Sequence, residues 1–213
     1  MPIVWPEALD ELMQLLKNLP GIGKRSAERM ALSMYHWDAK KLSALAENLA
    51  TLHDKIRPCS VCGNLADAAG GGLCAVCASP LRDRSVICVV EESQQVNVIE
   101  TAGIYKGLYH VLGGRIAPLE GKFPDSISIP QLDARLASGE AKELILALSQ
   151  DIEGQATAFY LANRFKDKGL RITRLSQGLP AGADLTYADA ATLAIALNAR
   201  TSVEGGNHGG QEA

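Results

Sequence analysis

The sequence has no long apolar run and no excess of positive charge. Its longest apolar stretch, around Val86 to Val90, has the length of a strand and not of a membrane span. The N-terminus lacks the basic and then apolar segments of a secretion signal, so we expect a cytoplasmic protein. The formal net charge of −3 is also unlike the basic character of a typical nucleic-acid-binding domain. Any contact with DNA must therefore be local.

The composition is otherwise ordinary for a globular protein, and no internal repeat is visible. Hydrophobic residues make up 47% and charged residues 21% of the 213 residues, which is enough chain for one medium domain or two to three small ones. Apolar residues at helical spacing predict that the first quarter is helical, with helices over residues 6–17, about 26–36 and about 40–56. The third helix carries an apolar stripe of Leu42, Leu45, Leu49, Leu52 and Ile56.

The turn between the first two helices, LPGIGKRSAERM over residues 19–30, combines two glycines with local positive charge. Between Lys17 and Arg29, four basic residues stand against one acid, a net of +3. A nucleotide-binding P-loop would need glycine at the position of Asn18 and Ser or Thr at that of Arg25, and it would follow a strand. All three requirements fail, so we do not expect the loop to bind a nucleotide.

A helix–hairpin–helix is the better interpretation of this turn. Gly21 and Gly23 permit a tight turn whose N–H groups stay exposed. Ile22 can tuck inward as an anchor, while Lys24 and Arg25 place positive charge beside the free N–H groups of the next helix. Such a loop holds backbone phosphates without reading bases. The alternative is an ordinary turn between helices, and the clustering of basic residues favours DNA.

Four of the five cysteines form two CxxC pairs, Cys59 with Cys62 and Cys74 with Cys77. Each pair can point two sulfurs at one centre, and four thiolates in a tetrahedron are a preferred structural site for zinc. The three glycines at 70–72 let the short intervening loop fold back. Two disulfides or a redox pair are the alternatives, and a reducing cytoplasm argues against disulfides. Four protein ligands leave no open position, so the expected role is structural.

From Ser85 onward, short apolar strands alternate with helical segments. Strands are predicted in SVICVV, GLYHVLGG, KELILAL and LRITRL, with helical patterns between them. This alternation predicts parallel βαβ units and an α/β sheet with both faces covered. Cys88, inside the first strand, is predicted to be a buried, inert thiol. A last helix is predicted over residues 187–200, and the Gly-rich tail after it is predicted to be disordered.

Acidic residues follow two of the predicted strands. Glu91 and Glu92 end the first, and Asp151 and Glu153 come just after KELILAL. That edge of an open α/β sheet is where sites form. In an extended segment Asp151 and Glu153 would share one side, and three converging carboxylates would suit Mg²⁺. Alternatively, these acids are solvated or cap the following helices, where negative charge is favourable. The pattern alone leaves both interpretations open.

The order of these parts resembles the RecR family of bacterial recombination mediators almost end to end, stopping at the tail. LPGIGKRSAERMA looks like the family's helix–hairpin–helix, and CSVCGNLAD with LCAVC looks like its zinc module. RDRSVICVVEE and DIEGQATAFYLA look like its Toprim domain. YHVLGGRIAPLEG and RLSQGLPAGADLTYADAATLAIALNAR are also similar to family segments, and together the motifs are highly specific.

The resemblance implies a non-enzymatic DNA-repair protein that is cytoplasmic and associated with the nucleoid. Members form ring-shaped tetramers that can encircle DNA and work with RecO and RecF to help load RecA at single-stranded gaps. Carried over by position, Lys24 and Arg25 would contact DNA and the four cysteines would hold zinc. Glu91, Asp151 and Glu153 would be the Toprim acids, which in the family serve partner binding. The implied domains are residues 1–57 (helix–hairpin–helix), 58–80 (zinc finger), 81–176 (Toprim), 177–200 (C-terminal helical segment) and 201–213 (tail).

The acidic segment departs from the family pattern at two points. Members typically show Asn-Pro-Thr before x-Glu-Gly, whereas this chain has Ser149, Gln150 and Asp151. The wider Toprim pattern has Asp-x-Asp, whereas here Glu153 takes the second place. Both departures weigh against Mg²⁺ at these acids. The rival hypothesis is a Mg²⁺-dependent Toprim phosphotransferase, such as a nuclease, topoisomerase or primase, with Glu91 as general acid/base and Asp151 and Glu153 as metal ligands.

Overall fold

The computed structural model describes residues 5–176, together with residues 179, 182, 184, 186, 188–190, 192, 193 and 196. The chain divides into two compact units, Met1–Arg57 with Asp67–Ala69, and Pro58–Ala66 with Gly70–Ala213. The segments predicted over residues 177–200 and 201–213 lie outside the continuously described part of the chain. No helix within the described part is long and apolar enough to cross a membrane.

The first unit is helical, as predicted. Its helices are α1 (Glu7–Lys17), α2 (Lys24–Tyr35), α3 (Ala39–Ala50) and the single turn α4 (Leu52–Lys55). Apolar residues at helical spacing bring α1 and α2 together around a small core of Met13, Leu16, Ala27 and Ala31. No residue of α3 is buried, and the leucines of its predicted stripe remain on the surface, Leu49 with 64% of its area exposed.

The predicted third helix is shorter than expected. Its hydrophobic spacing runs on to Ile56, but α3 ends at Ala50 and Thr51 takes φ −100° and ψ 6°. The Glu47 carbonyl in the last turn accepts from both the N–H and the hydroxyl of Thr51, at 3.0 and 2.8 Å. After α4, Ile56 begins strand β1 (Ile56–Pro58), which forms a two-stranded sheet with β2 (Leu65–Asp67).

The second unit contains the predicted parallel α/β sheet. Its strands are β3 (Asp83–Val90), β4 (Gly107–Val111), β5 (Glu143–Leu146) and β6 (Arg171–Arg174), in the order β4-β3-β5-β6. Every neighbouring pair is parallel, with Cys88 opposite both Tyr109 and Ile145. The connecting helices are α6 (Ser93–Ala102), α7 (Ile129–Leu136) and α8 (Ile152–Phe165). Single 3-10 turns lie at Pro118–Glu120, Pro124–Ser126 and Lys166–Lys168.

The cysteine segment shares its core with this sheet. It contains the short helix α5 (Ala75–Ala78), and its buried residues belong to the same hydrophobic cluster as Val89 and Leu144. The Val111 N–H, at the end of β4, donates to the Cys62 carbonyl at 2.7 Å. Gly63 has φ +74°, and a Cβ there would lie 2.9 Å from the Val111 carbonyl oxygen. Only glycine fits this close approach, which fastens the cysteine segment to the end of β4.

Candidate DNA-binding loop, metal centre and acidic strand ends

The glycine turn of the first unit presents an open face at the start of α2. Gly21 has φ +76°, a conformation that glycine adopts without strain. A Cβ at Gly21 or Gly23 would meet nothing within 4 Å, so another backbone can approach the turn closely. Ile22 between them is half-buried and packs against the core of α1 and α2. The turn is therefore anchored by one apolar side chain and open around its two glycines.

The first turn of α2 carries both backbone donors and positive charge. The helix begins at Lys24, two residues earlier than predicted, so Lys24 and Arg25 lie in this turn, and both are exposed. Gly23 is the N-cap and offers no side chain to the N–H groups of residues 24–26, which have no acceptor among the described residues. Unsatisfied N–H groups beside two cationic side chains form a suitable site for an anion such as a backbone phosphate.

The structure brings the four CxxC cysteines together. One ligand atom from each of Cys59, Cys62, Cys74 and Cys77 lies within 4.8 Å of all the others, and all four residues are buried. The Sγ atoms of Cys62 and Cys74 are 3.6 Å apart. Two ligands of a tetrahedral zinc–sulfur site, with bonds of about 2.3 Å, stand about 3.8 Å apart, whereas a disulfide needs about 2.05 Å. The cluster can therefore hold a metal ion, and its sulfur atoms fit zinc.

The thiols of the cluster also have the electrostatics of a metal site. Burial raises the pKa of Cys59, but the N–H groups of Cys74, Val61 and Cys62 outweigh it and lower that pKa to about 7. The pKa of Cys62 is raised, first by its hydrogen bond with Cys77 and then by burial. Burial raises the pKa of Cys74 as well. Neighbouring buried thiols cannot all ionise without a cation, and a soft dication removes this conflict.

Cys88 stands apart from the cluster. It lies inside β3 and is buried, and burial raises the pKa of its thiol to about 12. A thiol of this kind is protonated and unreactive.

Glu91 lies at the carboxyl end of β3, where it is only 8% exposed. Its carboxylate accepts two hydrogen bonds from Ser149, one from the N–H and one from the hydroxyl, each 2.8 Å long. Its own N–H donates to the Gln95 side chain at 2.7 Å. The buried carboxylate is thus held by the loop that follows β5.

Asp151 is the N-cap of α8, and the helix begins at the next residue. One carboxylate oxygen accepts from the Gly154 N–H at 2.8 Å, and the other pairs with the guanidinium of Arg115. The prediction that Asp151 and Glu153 share one side of an extended segment is therefore wrong, because Glu153 lies in the first turn of the helix. Gly154 is required here, since a Cβ would come within 2.2 Å of the Ser149 carbonyl oxygen.

Arg115 and Ser149 were not predicted as site residues. The pKa of the Arg115 guanidinium is raised. Partial burial lowers this pKa, but the negative charges of Asp151, Glu91 and Glu153 together outweigh that effect. One signal was present in the sequence, since Arg115 follows the strand GLYHVL and parallel strands end at one edge. Among the residues that the structure describes, the cysteine cluster is the only group of three or more His, Cys, Asp or Glu side chains that lie close enough together to hold a metal ion.

Three family models match the chain in the predicted order. Residues 9–53 match the RecR helix-hairpin-helix, residues 85–176 match the Toprim domain, and residues 178–201 match the RecR C-terminal model. The predicted fold class is confirmed: an N-terminal helix–hairpin–helix and a four-cysteine cluster precede a Toprim domain with a parallel sheet.

Curated relatives match the chain over almost its full length. It is 46% identical to the "Recombination protein RecR" of Acidothermus cellulolyticus over 196 residues, which are 92% of this chain and 97% of the relative. It is 44% identical to the protein of the same name from Chlorobium chlorochromatii over 199 residues, again 92% and 97%. The Treponema denticola protein of that name is 45% identical over 193 residues, 91% of this chain and 97% of the relative.

Proposed function

The chain belongs to the RecR family of recombination proteins, and on this premise we propose that it is a DNA-binding mediator of recombinational DNA repair. Its task in this proposal is to help load the RecA recombinase at single-stranded gaps, with RecO and RecF as partners. It would work in the cytoplasm, on the nucleoid. One observation carries the proposal. The chain matches both the RecR helix-hairpin-helix model and the RecR C-terminal model, and its alignment covers 97% of a relative named as a recombination protein.

The DNA contact in this proposal is the turn of the first unit, Gly21 to Arg25. Its support is the open space in front of Gly21 and Gly23 together with the free N–H groups and exposed charges at the start of α2. These groups bind phosphate oxygens, which are the same in every sequence. Binding should therefore be independent of base sequence and sensitive to salt.

One such loop on a chain of net charge −3 is expected to bind DNA only weakly. The proposal therefore includes assembly into a ring-shaped tetramer. Several copies of a weak site gain effective concentration for one DNA molecule. The uncovered leucines of α3, Leu42 and Leu49 among them, supply apolar surface for contact with another copy. An acidic exterior with a basic inner rim is compatible with the overall charge.

The ion in the cysteine cluster is proposed to be structural zinc. All four ligands come from the protein, so no position is left for a substrate. The cluster lies within the core of the second unit, and its Cys62 carbonyl is bonded to the end of β4. The zinc would therefore stabilise the end of the sheet near Arg115, four residues after Val111 in the chain.

The Toprim acids are proposed to serve partner binding rather than phosphoryl transfer. Glu91 is engaged by Ser149 and Asp151 by Arg115, whereas a general acid/base or a metal ligand needs its carboxylate available. The test is Mg²⁺-dependent cleavage, relaxation or primer synthesis by the purified protein. Any of these activities, lost in Glu91→Ala, would establish the enzymatic alternative.

The mediator role itself is tested by RecA assembly on single-stranded DNA coated with single-strand-binding protein. RecA ATP hydrolysis reports filament formation after the chain and a RecO protein are added. We expect the chain to shorten the lag before hydrolysis, and the Lys24→Ala, Arg25→Ala double variant to shorten it less. An unchanged lag with the wild-type chain would contradict the mediator role.

A further inference from the structure

The carboxyl edge of the Toprim sheet already contains a positive charge from the chain itself. The Arg115 guanidinium pairs with Asp151, and Glu91 and Glu153 also contribute to its electrostatic environment. The side chain of Arg115 is one-third exposed and that of Asp151 somewhat less than half exposed. The pair is therefore partly shielded from solvent in the place where Mg²⁺ would have to bind.

The backbone on both sides of Arg115 is fixed. The N–H groups of Gly113 and Gly114 donate to the Glu91 carbonyl at 2.9 and 3.0 Å, which fastens the turn to the end of β3. The Ile116 N–H donates at 2.9 Å to the hydroxyl of Thr157, a fully buried residue of α8. Arg115 thus projects from a segment bonded to a strand end before it and to α8 after it. Its position beside the acids is set by the fold and not by the ion pair alone.

The carboxylates are arranged for this cation rather than for a hard metal ion. Mg²⁺ requires nearly octahedral oxygen ligands at about 2.0–2.1 Å, which means carboxylates free to turn toward one point. Both oxygens of Glu91 are engaged by Ser149, and those of Asp151 by Gly154 and Arg115. Glu91, Asp151 and Glu153 carry three negative charges, and the fold places the single positive charge of Arg115 among them. Arg115 needs no dehydration step to occupy this place, whereas a metal ion would have to lose water each time it bound.

We propose that Arg115 is the resident cation of this acidic cluster and the residue that keeps divalent metal ions out of it. With Arg115 present, a divalent ion meets two engaged carboxylates, those of Glu91 and Asp151, and a negative potential reduced by the guanidinium charge. Without its charge, Asp151 loses its ion pair and joins Glu153, whose carboxylate has no ion pair among the described residues, and the cluster becomes a site for a hard divalent ion. This inference extends the proposed non-enzymatic role of the Toprim domain, but its test does not involve DNA or RecA.

The test measures Mn²⁺ binding by the full-length, zinc-loaded protein, from the loss of the spectrum of free Mn²⁺ in electron paramagnetic resonance. Mn²⁺ prefers oxygen ligands, and zinc occupies the thiols. We compare the wild type with Arg115→Ala and Arg115→Gln, which removes the charge but keeps most of the stem. Lys122→Ala is the matched control, because Arg115 and Lys122 both line a cavity of about 310 Å³ and Lys122 pairs with Glu120.

We expect both Arg115 variants to bind Mn²⁺ with at least about tenfold higher affinity than the wild type, because a positive charge has been removed from beside the ligands. Adding Asp151→Asn, which can still cap α8, should abolish the gain. Lys122→Ala should behave as the wild type. Equal affinity in the wild type and the folded Arg115→Gln protein overturns the proposal, whatever the result of the RecA assay. So does a gain of the same size in Lys122→Ala.

Discussion

Both carboxylate oxygens of Glu91 accept hydrogen bonds from Ser149, one from its N–H and one from its hydroxyl, each at 2.8 Å. The two residues are 58 positions apart, so the pair joins the end of β3 to the loop between β5 and α8. Since Glu91 is almost fully buried, these bonds replace lost hydration and fix the orientation of the carboxylate. The acidic edge is thus held together by bonds within the protein.

Ser149→Ala should destabilise the second unit. The substitution removes the hydroxyl bond to a buried charged group, and such bonds contribute about 1.5–3 kcal/mol to the free energy of unfolding. Urea denaturation measures this loss, with Ser43→Ala on the exposed surface of α3 as the control, which should have almost no effect. Equal stability of Ser149→Ala and the wild type would mean that the Ser149 hydroxyl does not help to hold the Glu91 carboxylate.

Cys62→Ser should remove the metal and destabilise the sheet to which the cluster is attached. We expect about one zinc per chain in the wild type and much less in the variant, because a structural site needs all four ligands. Metal analysis and thermal unfolding of the purified proteins measure both effects. Cys88→Ala, which removes a buried thiol outside the cluster, should keep its zinc. A zinc-free wild type with all thiols reduced would refute the site.

His110 should make the protein less stable in acid. Burial lowers the pKa of this histidine from 6.5 to about 4, against an opposing effect of its hydrogen bond to the Ser128 carbonyl, and nearby Arg135 lowers it further. The unfolded chain therefore binds the proton more readily than the folded one. The stability that His110 contributes is complete above about pH 6.5 and is lost at about 1.4 kcal/mol per pH unit as the pH falls toward about 4.

Urea denaturation of the wild type and of His110→Gln across this pH range measures the contribution of His110 to the free energy of unfolding. The variant should lose less stability on acidification than the wild type, since other acid-sensitive groups are the same in both proteins. His36→Gln, at an exposed position of the first unit, should follow the wild type. Parallel curves for wild type and His110→Gln would contradict the prediction.

Leu49→Glu should reduce the size of the assembly in solution. The proposed tetramer needs subunit contacts, and Leu49 lies in the middle of the uncovered stripe of α3. A charge there would have to be buried without a partner, which opposes association. Light scattering measures the mass, with Ser43→Glu, away from the stripe on the same helix, as the control. An unchanged mass in Leu49→Glu would exclude this face from the contact.

Periodicity predicted the fold well because each element has one dominant pattern. The second half of β3 is buried on both faces of the parallel sheet, and β5 has buried residues on one face and half-buried ones on the other, so their apolar runs could be recognised without their partners. The end of α3 could not be located in this way. The leucine spacing continues past Thr51, and the interruption depends on one backbone conformation and one hydroxyl bond.

The site was predictable only where spacing along the chain determines geometry. Two CxxC pairs imply converging sulfurs, and the structure brings them together. The acidic edge depends instead on residues distant in sequence: Arg115 and Asp151 are 36 positions apart and meet only because β4 and β5 end at the same edge. Ser149 was noticed as a departure from a family pattern, but its bonds to Glu91 required the folded sheet.

The most direct test of the central claim is the salt dependence of DNA binding, measured by fluorescence anisotropy with labelled single- and double-stranded oligonucleotides. For the wild type, the logarithm of affinity should fall linearly with the logarithm of salt concentration. Lys24→Ala with Arg25→Ala should bind every sequence more weakly, with a slope reduced by about 1 for each phosphate contact removed. Lys40→Ala with Lys41→Ala, an equal loss of charge in the first turn of α3, should keep the wild-type slope. An unchanged affinity and slope in the Lys24, Arg25 double variant would contradict the claim that this loop holds the DNA backbone.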